Sequence, residues 1–328
     1  MNPIRNLSIA TLLLGALLSQ SAISQTAQNY PSKPVKIVTP FPTGSGPDSI
    51  LRVVSDRLSK MWGKPVVVEN KPGASGFIAI EAVKRAANDG HELIQLDNFQ
   101  MAAQPFLFKK LPYELFKDFE PAAPIFKNYF FVTAPSTSPW KTVGDLIASA
   151  KSKPNALEYG SWFVGSPGHI GGAMMEGATG TKMLHVPYKE MSQLYAAVGN
   201  TEVSWAFGSA ASSGAMLRAG KIKYLAVAAP KRVEGFLDIP TVAEAGGPAD
   251  FELSAWVALL APKGTPKDII EKIQKDVAIA LTDPEVKTRL ATVTFEPYVL
   301  NSEQFVARVN SDAKQFGESI KRLNISLD

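Results

Sequence analysis

The stretch that decides the fold is residues 33–76, KPVKIVTPFPTGSGPDSILRVVSDRLSKMWGKPVVVENKPGASG. It opens with a β-branched strand pattern at 33–39 and enters a loop of proline, glycine and serine at 40–47. Apolar residues then recur at helical spacing until Gly63 ends the run. A second strand at 65–69 leads into a second glycine loop. This order of strand, helix and strand predicts a βαβ unit in a largely parallel sheet.

The same alternation continues along the rest of the chain. Further helices are predicted at 77–87, 143–150 and 169–176, with two more that begin at Thr265-Pro266 and near Ser302. Further strands are predicted at 92–96, 130–133, 157–160, 182–186, 202–207 and 223–228. No strict repeat is present. Both halves nevertheless show a strand, a Gly/Ser loop and a helix start, which is a coarse doubling.

Composition restricts the classes of function that the chain can have. Its 328 residues suffice for two domains, and 45% hydrophobic with 20% charged residues is a globular composition. The net charge of +4 is scattered, without the basic runs typical of nucleic-acid binding. The sequence has no cysteine, which excludes disulfides, a thiol nucleophile, a cysteine zinc site and a lipid-anchored N-terminal cysteine.

The first 24 residues have the pattern of a cleaved signal peptide. Arg5 precedes an uncharged apolar core at 7–18, and Ala22-Ile-Ser24 offers small residues for cleavage. The alternative is a membrane anchor, but a spanning helix needs roughly 20 apolar residues and this run is shorter. We therefore expect an exported, monomeric periplasmic protein that begins near Gln25.

Three Gly/Ser loops are the strongest indication of a ligand site. They lie at 43–46, 73–76 and 161–168, and each follows a strand and opens a helix. Helix N-termini present unpaired N–H groups that accept anions, and ligands of open parallel sheets bind at the carboxyl ends of strands. The alternative for any one loop is ordinary turn chemistry. Three such loops from both halves favour an anion site.

Catalytic, cofactor and metal chemistry is poorly supported. The segment 44–49 has Ser49 where a dinucleotide fingerprint needs its third glycine, and no G-x-S-x-G elbow is present. His91 and His185 flank strands and are interpreted as structural, and no histidine pair has metal-ligand spacing. His169 could face a ligand or cap its helix, and the sequence leaves both open. We expect no catalytic residue, no metal and no cofactor.

Aromatic residues could give the site an apolar wall. The aromatic residues near the expected cleft are Phe41, Phe99, Trp162, Phe163, Trp205, Phe207 and Trp256. Most strand aromatics belong to a core. Trp162 and Phe163 differ because they interrupt a loop of small residues, where a large apolar surface would suit an aromatic ligand.

Eight blocks, in order along the chain, resemble the substrate-binding subunits of tripartite tricarboxylate transporters, the Bug family. They are 30–42 (YPSKPVKIVTPFP), 66–76 (VVVENKPGASG), 110–113 (KLPY), 118–121 (DFEP), 185–189 (HVPYK), 219–227 (AGKIKYLAV), 239–246 (IPTVAEAG) and 260–266 (LAPKGTP). The resemblance implies an α/β type II periplasmic-binding-protein fold, with two doubly wound lobes joined by two crossing strands. Lobe one would comprise 25–126 and 254–328, and lobe two 127–253.

The resemblance also implies a ligand and a membrane partner. The protein would capture a small organic carboxylate for the large and small permease subunits of the transporter. The expected ligand-binding residues are Phe41, Thr43, Gly44, Ser45, Gly46, Asp48, Gly73, Ala74, Ser75, Gly76, Asn98, Ser161, Trp162, Phe163, Ser166, His169, Tyr188, Gly208 and Ser209.

Two departures from the family pattern bear on the ligand. The lobe-two loop reads SWFVGS at 161–166, bulkier than the usual small-residue loop, and the segment 205–209 (WAFGS) lacks the aspartate that meets an ammonium group in amino-acid-binding members. We therefore expect a carboxylate without an ammonium group, and favour an aromatic dicarboxylate such as terephthalate. The alternatives are a carboxylate-binding sensor that signals to a membrane kinase and, less favoured, an exported hydrolase.

Overall fold

The computed structural model describes residues 29–327, so the proposed signal peptide at 1–24 lies outside the described residues. The strands are β1 (Val35–Thr39), β2 (Val66–Asn70), β3 (Glu92–Asp97), β4 (Phe119–Tyr129), β5 (Phe131–Pro135), β6 (Glu158–Ser161), β7 (Leu184–Pro187), β8 (Trp205–Gly208), β9 (Ile222–Val227), β10 (Ser254–Pro262) and β11 (Glu296–Pro297). The helices are α1 (Gly46–Trp62), α2 (Phe77–Lys84), α3 (Gln104–Leu107), α4 (Leu115–Asp118), α5 (Val143–Ser152), α6 (Pro167–Thr179), α7 (Met191–Gly199), α8 (Ala210–Arg218), α9 (Lys267–Ala280), α10 (Pro284–Thr292) and α11 (Ser302–Leu323). Within 29–327, no helix is both long and apolar enough to cross a membrane.

Two sheets form the centres of two lobes. The strand order is β11-β4-β10-β3-β1-β2 in lobe one and β7-β6-β8-β5-β9 in lobe two. In lobe one, β1 runs parallel to β2 and β3, and β10 is antiparallel to β3 and β4. In lobe two, β6 is parallel to β7 and β8, and β5 is antiparallel to β8 and β9. Without the edge strand β11, lobe one in reverse is β2-β1-β3-β10-β4, which has the same arrangement as β7-β6-β8-β5-β9 in lobe two. This common order explains the coarse doubling of the sequence and confirms the expected two-lobed α/β class.

The first helix shows how local sequence fixes an element. The Ser45 side chain accepts a hydrogen bond from the Asp48 N–H, and Pro47 occupies the first turn. Gly63 ends α1 in the left-handed region at φ 61°, where its N–H bonds the carbonyl of Ser59. Other predicted boundaries shift by up to three residues; α2, for example, ends at Lys84 rather than at 87.

The sheet of lobe one is buried on both faces. Along β10, Trp256, Ala258 and Leu260 lie in one apolar cluster, while the alternate residues lie in the other. Helices α1, α9 and α10 cover one face of the sheet, and α2 and α11 cover the opposite face. Such burial on both faces leaves the strand ends and their loops as the accessible part of the sheet.

The chain passes between the lobes at two adjacent places. After β4, Phe130 leads directly into β5, and after Leu253 the chain returns into β10. The Phe130 N–H donates to the Leu253 carbonyl at 3.2 Å, and the Phe130 carbonyl accepts from Ala228 at 2.8 Å. The predicted boundary after residue 126 lies inside β4, before the first crossing, and the predicted boundary after residue 253 lies at the second.

Helix α11 holds the second crossing through a buried carboxylate. Asp312 accepts hydrogen bonds from Trp256 Nε1 at 2.7 Å and Asn98 Nδ2 at 3.0 Å. It also pairs with Arg308, whose Nε lies 2.9 Å from Oδ1. Arg308 continues the network to Glu252 and Ser254. We call Asn98, Glu252, Trp256, Arg308 and Asp312 the hinge network.

Asp312→Ala should destabilise the protein strongly. The substitution leaves Arg308 and two side-chain donors without their acceptor, and breaking a fully buried pair costs about 3–5 kcal/mol. Because Arg308 is partly exposed and keeps Glu252, we expect a loss of about 2–3 kcal/mol in the free energy of unfolding. Urea unfolding monitored by circular dichroism measures it. Glu318→Ala, at an exposed position of the same helix, is the control, and equal losses in the two variants would contradict the prediction.

Candidate functional site

A cavity of about 770 Å³ lies between the two lobes. Its lining comes from the carboxyl ends of strands in both sheets and from the helix starts that follow them. The lining residues are Pro40, Phe41, Pro42, Ser45, Gly46, Pro47, Gly73, Ser75, Gly76, Asp97, Phe99, Gln100, Gln104, Leu107, Phe108, Asn128, Phe130, Trp162, Phe163, Gly165, Pro167, Met191, Ser209, Ala211, Ser212, Ala255, Phe295 and Leu327.

Hydrogen bonds to Asp48 hold the loop after β1 on the side away from the cavity. Its carboxylate accepts from the Gly44 N–H at 2.8 Å, from Asn70 Nδ2 at 2.7 Å and from Arg52 at 3.0 Å. Asn70 Nδ2 also donates to the carbonyl of Phe41. Burial alone would raise the pKa of Asp48, but these hydrogen bonds outweigh burial and lower it. The ionised carboxylate therefore fixes the loop and does not line the cavity.

The loop before α2 has an unusual backbone. Gly73, Ala74, Ser75 and Gly76 all have positive φ, at 107°, 45°, 54° and 92°. Two of these residues are not glycine, so the conformation is strained and must be held by its surroundings.

Two buried polar side chains hold that loop. Gln104 Nε2 donates to the Ser75 carbonyl at 2.7 Å, and the Tyr113 hydroxyl donates to Gln104 Oε1 at 2.7 Å. Gln100 packs so closely on Gly76 that a Cβ atom there would collide with its Nε2. These contacts keep the Ser75 region at the cavity wall.

Two serines of the lobe-two loop and two histidines that flank it hold the loop together. Ser161 Oγ donates to the Phe163 carbonyl at 3.0 Å and lies 2.7 Å from His185 Nε2. Ser166 caps α6 by accepting from the His169 N–H, and His169 Nδ1 accepts from the Gly165 N–H at 3.0 Å. The sequence left two roles open for His169, and in this structure its ring buttresses the loop.

The rings of His169 and His185 stack on each other. Their centroids are 3.6 Å apart and their planes differ by 6°. Burial, with the neighbouring His185 acting in the same direction, lowers the pKa of His169 to about 3. Burial also lowers the pKa of His185 to about 4. Both rings are therefore neutral at neutral pH, and neither supplies a charge for an anion.

The structure brings about half of the residues predicted for the site to the cavity. Those that line it are Phe41, Ser45, Gly46, Gly73, Ser75, Gly76, Trp162, Phe163 and Ser209. Those that do not line it are Thr43, Gly44, Asp48, Ala74, Asn98, Ser161, Ser166, His169, Tyr188 and Gly208. Asn98 belongs to the hinge network, Gly208 packs on Ser213 and Tyr195, and Tyr188 packs behind Gly160.

Of the aromatic residues predicted near the cleft, Trp205 and Phe207 are completely buried in the core of lobe two, and Trp256 in that of lobe one. Phe41, Phe99, Trp162 and Phe163 line the cavity. Trp162 stacks on Phe130, with ring centroids 5.7 Å apart, while Phe163 is 53% exposed. Of the two aromatic residues of the lobe-two loop, Trp162 is therefore held by packing, and Phe163 is the more exposed.

Several lining residues were not predicted from the sequence. Asp97, Gln100 and Gln104 line the lobe-one side, and Asp97 is the only ionisable side chain in the described lining. Asp97 ends β3, so the rule that ligands bind at the carboxyl ends of parallel strands could have identified it. Within residues 29–327, no cluster of three or more His, Asp or Glu side chains could hold a metal ion.

Comparisons with known proteins agree on one kind of protein. Residues 50–325 match the family described as tripartite tricarboxylate transporter family receptor. A UPF0065 protein of Agrobacterium vitis is 32% identical over 320 residues, which cover 95% of this chain and 91% of the relative. A structure described as a periplasmic transporter is 34% identical with a TM-score of 0.74, covering 91% of this chain and 100% of the other. An R. palustris protein with adipate is 28% identical with a TM-score of 0.76 and the same coverages.

The stacked histidines should make stability depend on pH. Their folded pKa values lie below the ordinary value of 6.5, so the unfolded chain binds more protons as pH falls from about 6.5 to 4. The stability that the neutral pair contributes is complete above that range and is lost progressively within it. Urea midpoints measured across this range should fall more steeply for the wild type than for His185→Asn, and most weakly for a variant in which His169 is also Asn. Identical slopes in the three proteins would contradict the prediction.

Proposed function

We propose that this chain, which belongs to the tripartite tricarboxylate transporter receptor family, binds a small organic carboxylate in the cavity between its lobes and delivers it to a membrane transporter. The family and its solved relatives are substrate-binding proteins and not enzymes, which removes the hydrolase alternative. The proposal includes a periplasmic location, a cleaved leader at 1–24, and the large and small permease subunits as partners.

The observation that carries the proposal is the convergence of helix starts on a cavity without cationic side chains. Residues at or beside the first turns of α1, α2, α6 and α8 line it, namely Gly46, Gly76, Pro167 and Ala211. No lysine, arginine or histidine belongs to the described lining. Helix N-termini carry partial positive charge and unpaired N–H groups, so they can bind a carboxylate directly or through water.

An aromatic dicarboxylate such as terephthalate is the ligand that we favour. Phe41, Phe99, Phe130, Trp162 and Phe163 line the same cavity, from both lobes. A flat ring between such side chains gains about 0.5–1.5 kcal/mol beyond the burial of its area. The relative with adipate supports a dicarboxylate of comparable length.

A thermal-shift screen tests the proposal. The panel contains terephthalate, benzoate, adipate and malate, and a ligand at ~100 times its Kd should stabilise the fold by about 2.7 kcal/mol. Gln104→Ala removes the hydrogen bond that holds the Ser75 carbonyl, so the loop at the cavity wall loses a support. We expect the binding of the best ligand to weaken up to about tenfold. Gln193→Ala, at an exposed position of α7, is the matched control. A panel in which no carboxylate raises the melting temperature would refute carboxylate binding.

Intrinsic fluorescence separates an aromatic from an aliphatic ligand. Trp162 is the only tryptophan in the described cavity lining, so a bound aromatic ring should change the emission of this residue. We expect terephthalate to bind several-fold to about tenfold more tightly than adipate, because of the ring contacts. Trp162→Phe should keep most of the affinity and lose the fluorescence response. Tight binding of aspartate or glutamate without a response to terephthalate or benzoate would show that the favoured ligand class is wrong.

A further inference from the structure

An acidic side chain lies in a cavity that is built to receive an anion. Asp97 stands at the carboxyl end of β3, remains partly exposed and lines the cavity. It is the only ionisable side chain among the lining residues of the described chain. The described lining of the ligand site therefore contains one potential negative charge and no side-chain cation that would offset it.

Gln100 connects Asp97 to the wall formed by the positive-φ loop. The Gln100 N–H donates to Asp97 Oδ1 at 2.8 Å, and the Asp97 N–H donates to Gln100 Oε1 at 3.1 Å. The far end of the same Gln100 side chain packs on Gly76. Gln100 thus contacts both Asp97 and Gly76, so Asp97 lies beside the Gly73–Gly76 turn on the lobe-one side of the cavity.

The other titratable groups around Asp97 leave its charge uncompensated. Tyr113 faces it, and that hydroxyl is occupied with Gln100 and Gln104. From α11, Asp312 accepts a hydrogen bond from Asn98, the residue next to Asp97, and this carboxylate is paired with Arg308. Burial raises the pKa of Asp97 to about 6, although the N–H groups of Gln100 and Phe99 act in the opposite direction.

A dicarboxylate places two negative charges in this cavity. If one end is bound by the helix starts of lobe two, beside Pro167 and Ala211, the other end faces the lobe-one wall that contains Asp97. Two carboxylates close together without a cation cannot both stay ionised, and such pairs hold one proton between them. A protonated carboxyl group beside a carboxylate forms a short, charge-assisted O–H···O⁻ bond.

We propose that Asp97 binds the second carboxyl group of a dicarboxylate ligand through one shared proton, which is taken up from solvent when the ligand binds. No covalent bond changes; the proton lies between one oxygen of Asp97 and one oxygen of the ligand. This inference rests on the proposed carboxylate-binding function and adds to it a preference for dicarboxylates that weakens as pH rises. Asp97 is then the residue that distinguishes one-charge from two-charge ligands.

Isothermal titration calorimetry with terephthalate and with adipate tests the shared proton. Between about pH 6 and 8, wild-type affinity should fall by up to tenfold per pH unit, since one proton enters with the ligand. Repeating the titration in phosphate and in Tris at about pH 7.5 should give uptake of close to one proton. Benzoate, with a single carboxylate, should show less than about a threefold change per unit and little proton uptake.

Asp97→Asn is the decisive variant. It should bind both dicarboxylates with affinity that is nearly independent of pH and without proton uptake. It should also fold, and be at least as stable as the wild type at about pH 8, because the raised pKa of Asp97 means that its ionised form opposes folding. Asp56→Asn, at an exposed position of α1, should keep the wild-type pH profile.

The outcomes separate this inference from the proposed function. Dicarboxylate binding with the same pH profile in the wild type and Asp97→Asn would overturn the shared proton while leaving carboxylate binding intact. Binding of benzoate but of neither dicarboxylate at any pH would do the same. A monocarboxylate with a hydroxyl or ammonium group that binds independently of pH, and loses affinity in Asp97→Asn, would instead make Asp97 a simple acceptor. Failure of every carboxylate would refute the proposed function itself.

Discussion

The structure depends on two crossing segments that are hydrogen-bonded to each other. Phe130 joins the two sheets on the outward path, Leu253 on the return path, and they share backbone hydrogen bonds with each other and with Ala228. Because both crossings lie side by side, the covalent connections between the lobes are confined to one place. The buried Asp312 ties the return crossing to α11 and Asn98, so this connection has a defined geometry. That geometry turns the carboxyl ends of both sheets toward the same space.

Local sequence rules predicted the parts of the fold that local chemistry determines. Ser45, Pro47 and Gly63 begin and end α1 as their backbone preferences require. The long strands β4 and β10 escaped prediction because their identity comes from antiparallel pairing between segments more than a hundred residues apart. In β4, Pro121 and Pro124 also hide the strand pattern, and the ladder has register shifts beside their partners. Pairing of this kind is invisible to periodicity in a short window.

The candidate site shows the same division. Gly/Ser loops after strands predicted where the cavity wall would be, because strand ends of parallel sheets share an edge. The role of each side chain was less accessible. Ser166 and His169 sit in the right loop, yet their polar atoms are used to hold that loop, since serine and histidine near a helix start bond local backbone groups. Asp97 and Gln104 lie outside any Gly/Ser loop. The place of Asp97 at the end of β3 could have identified it, whereas Gln104 reaches the cavity through the packing of α3.

The cations near the site serve its scaffold rather than its ligand. Arg52 is committed to Asp48 behind the first loop, and Arg308 to Asp312 in the hinge network. A cavity bounded by helix starts and strained glycine turns offers weak, directional positive potential, so small changes in ligand charge have large relative effects. In such an environment one carboxyl group has more influence on selectivity than it would beside a lysine or arginine. The absence of cations from the described lining and the presence of Asp97 are two parts of one arrangement. In the binding mode that we propose, helix starts bind one end of the ligand and a shared proton selects the other.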